Sequence, residues 1–126
     1  MLDNELRAIS SKLLEFALAL PGTYEEFPWG ERVVKVSKKV FVFLGKVEGS
    51  SEDLTFSVKL PVSNSAALEL AFTEPAGYGL GKSGWVAVTV PPGTNPSVEL
   101  FLDWIEESYR AIAPKKLVTR INAANL

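Results

Sequence analysis

The stretch "AGYGLGKSG", residues 76–84, gathers the residue types best suited to holding a phosphate. Ala76 to Ser83 fits a relaxed phosphate-loop pattern, a small residue and four free positions before Gly81-Lys82-Ser83, and Gly79 to Gly84 reads G-x-G-x-x-G. Both chemistries need the loop to join a strand to a helix, whose first N–H groups and dipole then face the phosphate. The flanks here run in the opposite order: "SAALELAFTEP" reads as a helix and "WVAVTV" as a strand, and the phosphate-loop pattern lacks its first glycine. The nucleotide reading is therefore rejected. Gly77, Gly79, Gly81 and Gly84 instead read as positions that permit positive φ in a tight connection. Such a connection lets Tyr78, Lys82 and Trp85 project side by side, and a cation beside aromatics suits a nucleic-acid strand. The plainer alternative places Trp85 in the core and Lys82 at a solvated tip.

The remaining inventory narrows the chemistry. The 126-residue chain has no histidine and no cysteine, which removes the commonest general base, the commonest metal ligand and any thiolate. Glu25-Glu26 as acid or base, with Lys59 as a clamp, is the enzyme reading, but no base–nucleophile pair accompanies them. Glu48, Glu52 and Asp53 in one turn lack a known cation-loop spacing, so no metal and no cofactor are expected. The net charge is −2, yet Arg32, Lys35, Lys38, Lys39 and Lys46 follow one another with no intervening acid. A mildly acidic chain can carry one basic ridge. The equally simple account is that these lysines blunt strand edges.

Periodicity supplies the elements that would position these groups. Leu6, Ile9, Leu13, Phe16, Ala17 and Leu20 define a helix over 3–20, capped by Asp3 or Asn4 and ended by Pro21-Gly22. "GTYEEFPWGER" reads as a loop. Strands follow at 32–37, 39–47 and "LTFSVKLP", the last with Leu54, Phe56, Val58 and Leu60 facing one way and Thr55, Ser57 and Lys59 the other. A short helix over 65–73, a strand over 85–90 with room for a shorter one before it, and a helix over 96–112 capped by Thr94 or Asn95 complete the order. Residues 1–113 form one domain on this reading and 114–126 a weakly ordered tail. No apolar run reaches the roughly 20 residues of a membrane span, and no signal peptide is legible, so the cytoplasm is the default location and no membrane partner is expected.

Taken together, "LPGTYEEFPWGERVVKVSKKVFVFLG", "FSVKLP", "GYGLGKSGWVAVTV" and "LFLDWIEESYRAIAPKK" resemble, in order and spacing, the MmcQ/YjbR-like family. Trp29, Lys59, Lys82, Trp85, Ser108 and Tyr109 fall on its recurrent positions. The glycine-rich approach to Lys82 departs from the usual pattern. The resemblance implies an α+β fold of the CyaY-like kind, an antiparallel sheet of about five strands with helices packed on one face. It also implies a DNA-binding role that has been proposed for members through paired wings of the sheet. Two readings stand. One is a nucleic-acid-binding module using Arg32, Lys35, Lys38, Lys39, Lys59, Lys82 and Trp85. The other is a protein-interaction or small-anion-binding domain whose open sheet face presents Thr55, Ser57, Lys59, Trp85 and Thr89, with Trp29 and Tyr78 at its rim.

Overall fold

Two kinds of hydrophobic periodicity, 3.6 and 2, build a helical layer laid on one face of an antiparallel sheet. The computed structural model describes residues 2–46, 52–77 and 79–124. Helix α1 (Asn4–Ala19) leads to strand β1 (Thr23–Glu26), a 3-10 turn (Pro28–Gly30), β2 (Glu31–Val36), β3 (Lys39–Lys46) and β4 (Leu54–Lys59). Then come α2 (Asn64–Ala67), β5 (Thr73–Pro75), a second 3-10 turn (Leu80–Ser83), β6 (Trp85–Val90), α3 (Val98–Ile112) and α4 (Lys115–Ala124). The strands lie in the order β1-β2-β3-β4-β6-β5, every neighbouring pair antiparallel. Alternation sets the faces. Leu54, Phe56 and Val58 lie opposite Val90, Val88 and Val86 and face the helices, where Leu6, Leu13, Phe101, Trp104 and Ile105 close the core.

Four departures from the sequence expectations have local causes. Residues 23–26, expected in a loop, form edge strand β1, because the sheet supplies pairing partners on β2 that no local signal announces. Thr23 donates its hydroxyl to the Ala17 and Leu20 carbonyls, closing α1 as the strand begins. The helix expected over 65–73 stops after Ala67, and Thr73 ends it in the same way, on the Ala67 and Leu70 carbonyls, before opening edge strand β5. Ser97, not Thr94 or Asn95, caps α3 by accepting from the Leu100 N–H. Finally, the expected tail is a helix: α4 places Leu117 and Val118 against the core and buries Ile121. Its apolar residues recur at the three- and four-residue spacing of one helical face.

The helical layer is locked to the sheet at one point. Register places Val34 opposite Val42 but Lys35 opposite Val40, so Phe41 is an extra, bulged residue in β3. Phe41 and Val42 are consequently both fully buried, and the Phe41 ring meets Tyr109 edge-on at 5.3 Å. The buried Ser108 hydroxyl accepts from the Lys59 N–H at 2.9 Å and donates to the Phe41 carbonyl. It thus occupies the place of the next rung of the β3–β4 ladder, beyond the Val42–Val58 pair. Tyr109 donates to the Pro21 carbonyl at 2.6 Å, tying the end of α1 to the same helix, and burial raises the pKa of its phenol. Ser108→Ala leaves a buried N–H and a buried C=O facing each other across a gap. We expect it to destabilise the fold by about 1–3 kcal/mol, seen as a lower urea midpoint with an unchanged m-value.

Candidate functional site

Antiparallel register decides which basic residues meet. Val36 lies opposite Lys39, and Lys59 lies opposite Trp85. The Ser37-Lys38 turn, the end of β4 and the start of β6 therefore share one end of the sheet, and Lys82 stands in the 3-10 turn just before β6. Lys38, Lys39, Lys59 and Lys82 converge there, and among the described residues no acid is ion-paired with any of them. Ser37 and Lys38 both have positive φ (49° and 68°), the geometry of a two-residue hairpin turn that usually calls for glycine or asparagine. The turn thus holds Lys38 exposed at the tip in strained backbone. On the same end of α3, Glu107 is occupied: it accepts from the N–H groups of Val62 and Ser63 and from the Ser63 hydroxyl, and Glu106 pairs with Arg110.

The opposite end is acidic. The C-terminal half of α3 contacts Phe41, Lys59 and Pro21, so its first turns, with Glu99 and Asp103, point away from the lysines. The end of α1 feeds Thr23, which pairs with Val36, so Asp3 and Glu5 at its start lie at that far end as well. Glu31, opposite Lys46, and Glu52 and Asp53 before β4 join them, whereas Glu74, opposite Ala87, and Glu106 and Glu107, next to Ser108, lie toward the lysine end.

The basic ridge read from the sequence is therefore divided. Lys38, Lys39, Lys59 and Lys82 are brought together, whereas Lys46 lies in register at the acidic end. Arg32 sits near that end too, 3.4 Å from Glu25 and 5.4 Å over the Phe27 ring. Lys35 is held by Glu26 at 2.7 Å, and that hydrogen bond raises its pKa. Glu25 and Glu26, the candidate acid–base pair, are thus each engaged by a cation. Trp85 is only 8% exposed, and its ring packs edge-on against Phe43 at 5.5 Å on the face away from the helices. It offers no ring for stacking, which corrects the reading of Trp85 as a base platform.

Thr55, Ser57, Lys59 and Thr89 do share the open face with Trp85. Trp29 does not join them. It stands 98% exposed in the turn between β1 and β2, at the opposite end from Lys59. Tyr78 and Glu48 lie outside the described residues. Among those described, no group of three or more metal-ligating side chains gathers, and no helix is long and apolar enough to cross a membrane.

The glycine-rich loop joins β5 to β6, strand to strand, and its N–H groups are already engaged. Those of Leu80, Gly81, Lys82 and Gly84 donate to the carbonyls of Gly77, Ala76, Gly79 and Gly81. Those four are therefore not available to a phosphate. Gly84 has φ 88° and lies against the Leu60 carbonyl, so a side chain there meets both strain and backbone. Gly81 is required for a different reason: a Cβ would stand 2.8 Å from Pro75. Gly77 and Gly81, expected at positive φ, are not there.

What sequence reasoning missed is the contribution of α4. Leu117 packs beside Gly22 and near Val36, at the lysine end, and the exposed side of the helix carries Lys115, Lys116 and Arg120. The signal was legible in "KKLVTRIN", an acid-free segment with Leu117, Val118 and Ile121 at helical spacing.

An open six-stranded antiparallel sheet with helices packed on one face makes this an α+β domain. The chain belongs to the YjbR family, whose model matches residues 18–111. It is similar to a Deinococcus radiodurans protein with a DUF419 domain, at 25% identity over 84% of this chain and 79% of that one, with a TM-score of 0.65. It also shares its fold with a Pseudomonas syringae protein, at 17% identity over 80% of this chain and 96% of that one, with a TM-score of 0.61. No curated protein sequence matches the chain.

Trp29 combines near-complete exposure with φ 55°, a left-handed conformation that bulky residues rarely adopt. Relief of that strain, typically about 1–3 kcal/mol, exceeds the roughly 0.5–1 kcal/mol entropic cost of a glycine. Trp29→Gly is therefore expected to raise stability by about 1 kcal/mol in a urea melt. A lower midpoint would mean that the indole packs against the protein in solution.

Proposed function

We propose that this protein is a nucleic-acid-binding module, not an enzyme, and that it grips backbone phosphates with the basic end of its sheet. The observation that carries the reading is the gathering of Lys38, Lys39, Lys59 and Lys82 at one end of the sheet, free of acidic ion-pair partners among the described residues. A net charge of −2 then describes a polarised molecule and not a uniformly acidic one. Like charges gathered on a hairpin tip and a neighbouring loop repel one another, and an anionic polymer relieves that repulsion by displacing its own counterions. The strain at Ser37 and Lys38 supports the reading, since strained exposed backbone clusters at binding sites. Nothing in this arrangement reads base edges, so recognition rests on the backbone and is not sequence-specific. The alternative, an anion or protein platform on the open face, keeps Thr55, Ser57 and Lys59 but loses Trp29 to the other end of the sheet.

Binding through several phosphates should weaken by orders of magnitude between about 50 and 200 mM salt. Fluorescence anisotropy with labelled DNA should show that slope, and Lys38→Ala/Lys39→Ala/Lys82→Ala should flatten it by close to three contacts, about 2.7 in log–log slope. Absence of binding at the lowest salt, or binding that the triple substitution leaves unchanged, contradicts the proposal.

A further inference from the structure

We infer that α4 is the second half of the phosphate-binding surface, and that the surface is built for a duplex. The inference rests on the nucleic-acid reading above and adds to it both a structural element and a class of ligand. α4 lies outside the span matched by the family model, 18–111, yet it is anchored to the core through Leu117, Val118 and the buried Ile121. Its position is fixed at the lysine end. A Cβ on Gly22 would stand 3.1 Å from the Leu117 side chain, and Val36, the last residue of β2 before the Ser37-Lys38 turn, lies on the same side. Arg120 is close enough to Tyr109 for its charge to lower the phenol's pKa against the effect of burial, and Tyr109 is hydrogen-bonded to Pro21 at that same end. With its apolar side committed to the core, the helix turns Lys115, Lys116 and Arg120 to solvent, all exposed. No acid occurs between Lys115 and Ala124 to neutralise them.

The geometry points to two strands. From β2, beside which α4 packs, to β6, beside which Lys82 stands, there are three inter-strand steps in the order β2-β3-β4-β6. At about 4.8 Å per step that is roughly 14 Å. The stretch of sheet between them is about as wide as the major groove of a duplex, roughly 12 Å, with Lys38 and Lys39 on the α4 side and Lys59 and Lys82 on the other. A surface of this width contacts phosphates on both strands across a groove. A single strand bound without sequence preference needs several aromatic rings to stack on; the Trp85 ring is buried and Trp29 is at the far end, which leaves Tyr24 on β1 as the exposed ring described at the lysine end.

The test compares the parent chain with Lys115→Ala/Lys116→Ala/Arg120→Ala and with the charge-keeping Lys115→Arg/Lys116→Arg/Arg120→Lys. Each is titrated by anisotropy against a labelled 16-base-pair duplex of arbitrary sequence and against one of its strands. Losing up to three phosphate contacts should reduce the log–log salt slope by as much as about 2.7. We expect at least ten-fold weaker duplex binding at 100 mM salt for the alanine variant, with the charge-keeping variant within two-fold of the parent. The parent should bind the duplex several-fold more tightly than the strand. An alanine variant with the parent's slope overturns the role of α4 while leaving Lys38, Lys39 and Lys82 in place. A parent that prefers the single strand overturns the duplex assignment. A parent that binds neither overturns the nucleic-acid reading itself, and this inference with it.

Discussion

The Ser108 hydroxyl, inserted between the Lys59 N–H and the Phe41 carbonyl, is the contact on which the arrangement of the molecule turns. It is a side chain of the helical layer acting as a rung of the sheet. Because a buried N–H and C=O cannot be left unpaired without cost, the contact fixes α3 against β3 and β4 in both translation and rotation. The neighbouring Tyr109 extends the lock to the end of α1 through Pro21. Everything that defines the basic end is set from this point: the bulge at Phe41, the close of β4 at Lys59 and the departure of α4 just past the end of α3. The Ser-Tyr pair has a purely architectural explanation.

Charge segregation along the strand direction follows from connectivity. An antiparallel sheet alternates its chain ends, so residues close to turns on one side are collected at one end whatever their separation in sequence. Lys38, Lys59 and Lys82 come from three different connections and α4 from a fourth, while Asp3, Glu31, Asp53 and Glu99 are gathered at the other end by the same rule. Counting charges over the chain averages the two ends away. At physiological ionic strength the screening length is about 8 Å, shorter than the central strands are long, so a ligand approaching one end feels the local charge far more than the total.

The helices α1 and α3 and the strands β2, β3, β4 and β6 were legible in the sequence because their apolar residues repeat over long enough windows to distinguish the 3.6 period from the period of two. The edge strands were not. Thr23–Glu26 and Thr73–Pro75 are three or four residues long, mostly exposed, and are strands only because a neighbour offers its hydrogen bonds. The same limit hid part of the site. Pairing of Arg32 with Glu25 and of Lys35 with Glu26 exists only once β1 lies beside β2, so those cations looked available when they are engaged. Trp85 was ambiguous for a related reason: the face of β6 that looks away from the helices carries its own small apolar contact with Phe43, which alternation alone labels as solvent-facing. The acid-free composition of residues 115–124 was visible throughout, but without knowing where Gly22 and Val36 lie it could not be joined to the other lysines.

Amide chemical-shift mapping during titration with a short duplex at low salt separates the two ends of the sheet. If nucleic acid meets the lysine end as proposed, perturbations are expected at Lys38, Lys39, Lys59, Lys82 and along Lys115 to Arg120, with the Trp29 indole and the amides of Glu31, Asp53 and Glu99 unmoved. Shifts centred on Trp29 and its acidic neighbours, or spread evenly over both ends, would contradict the proposal.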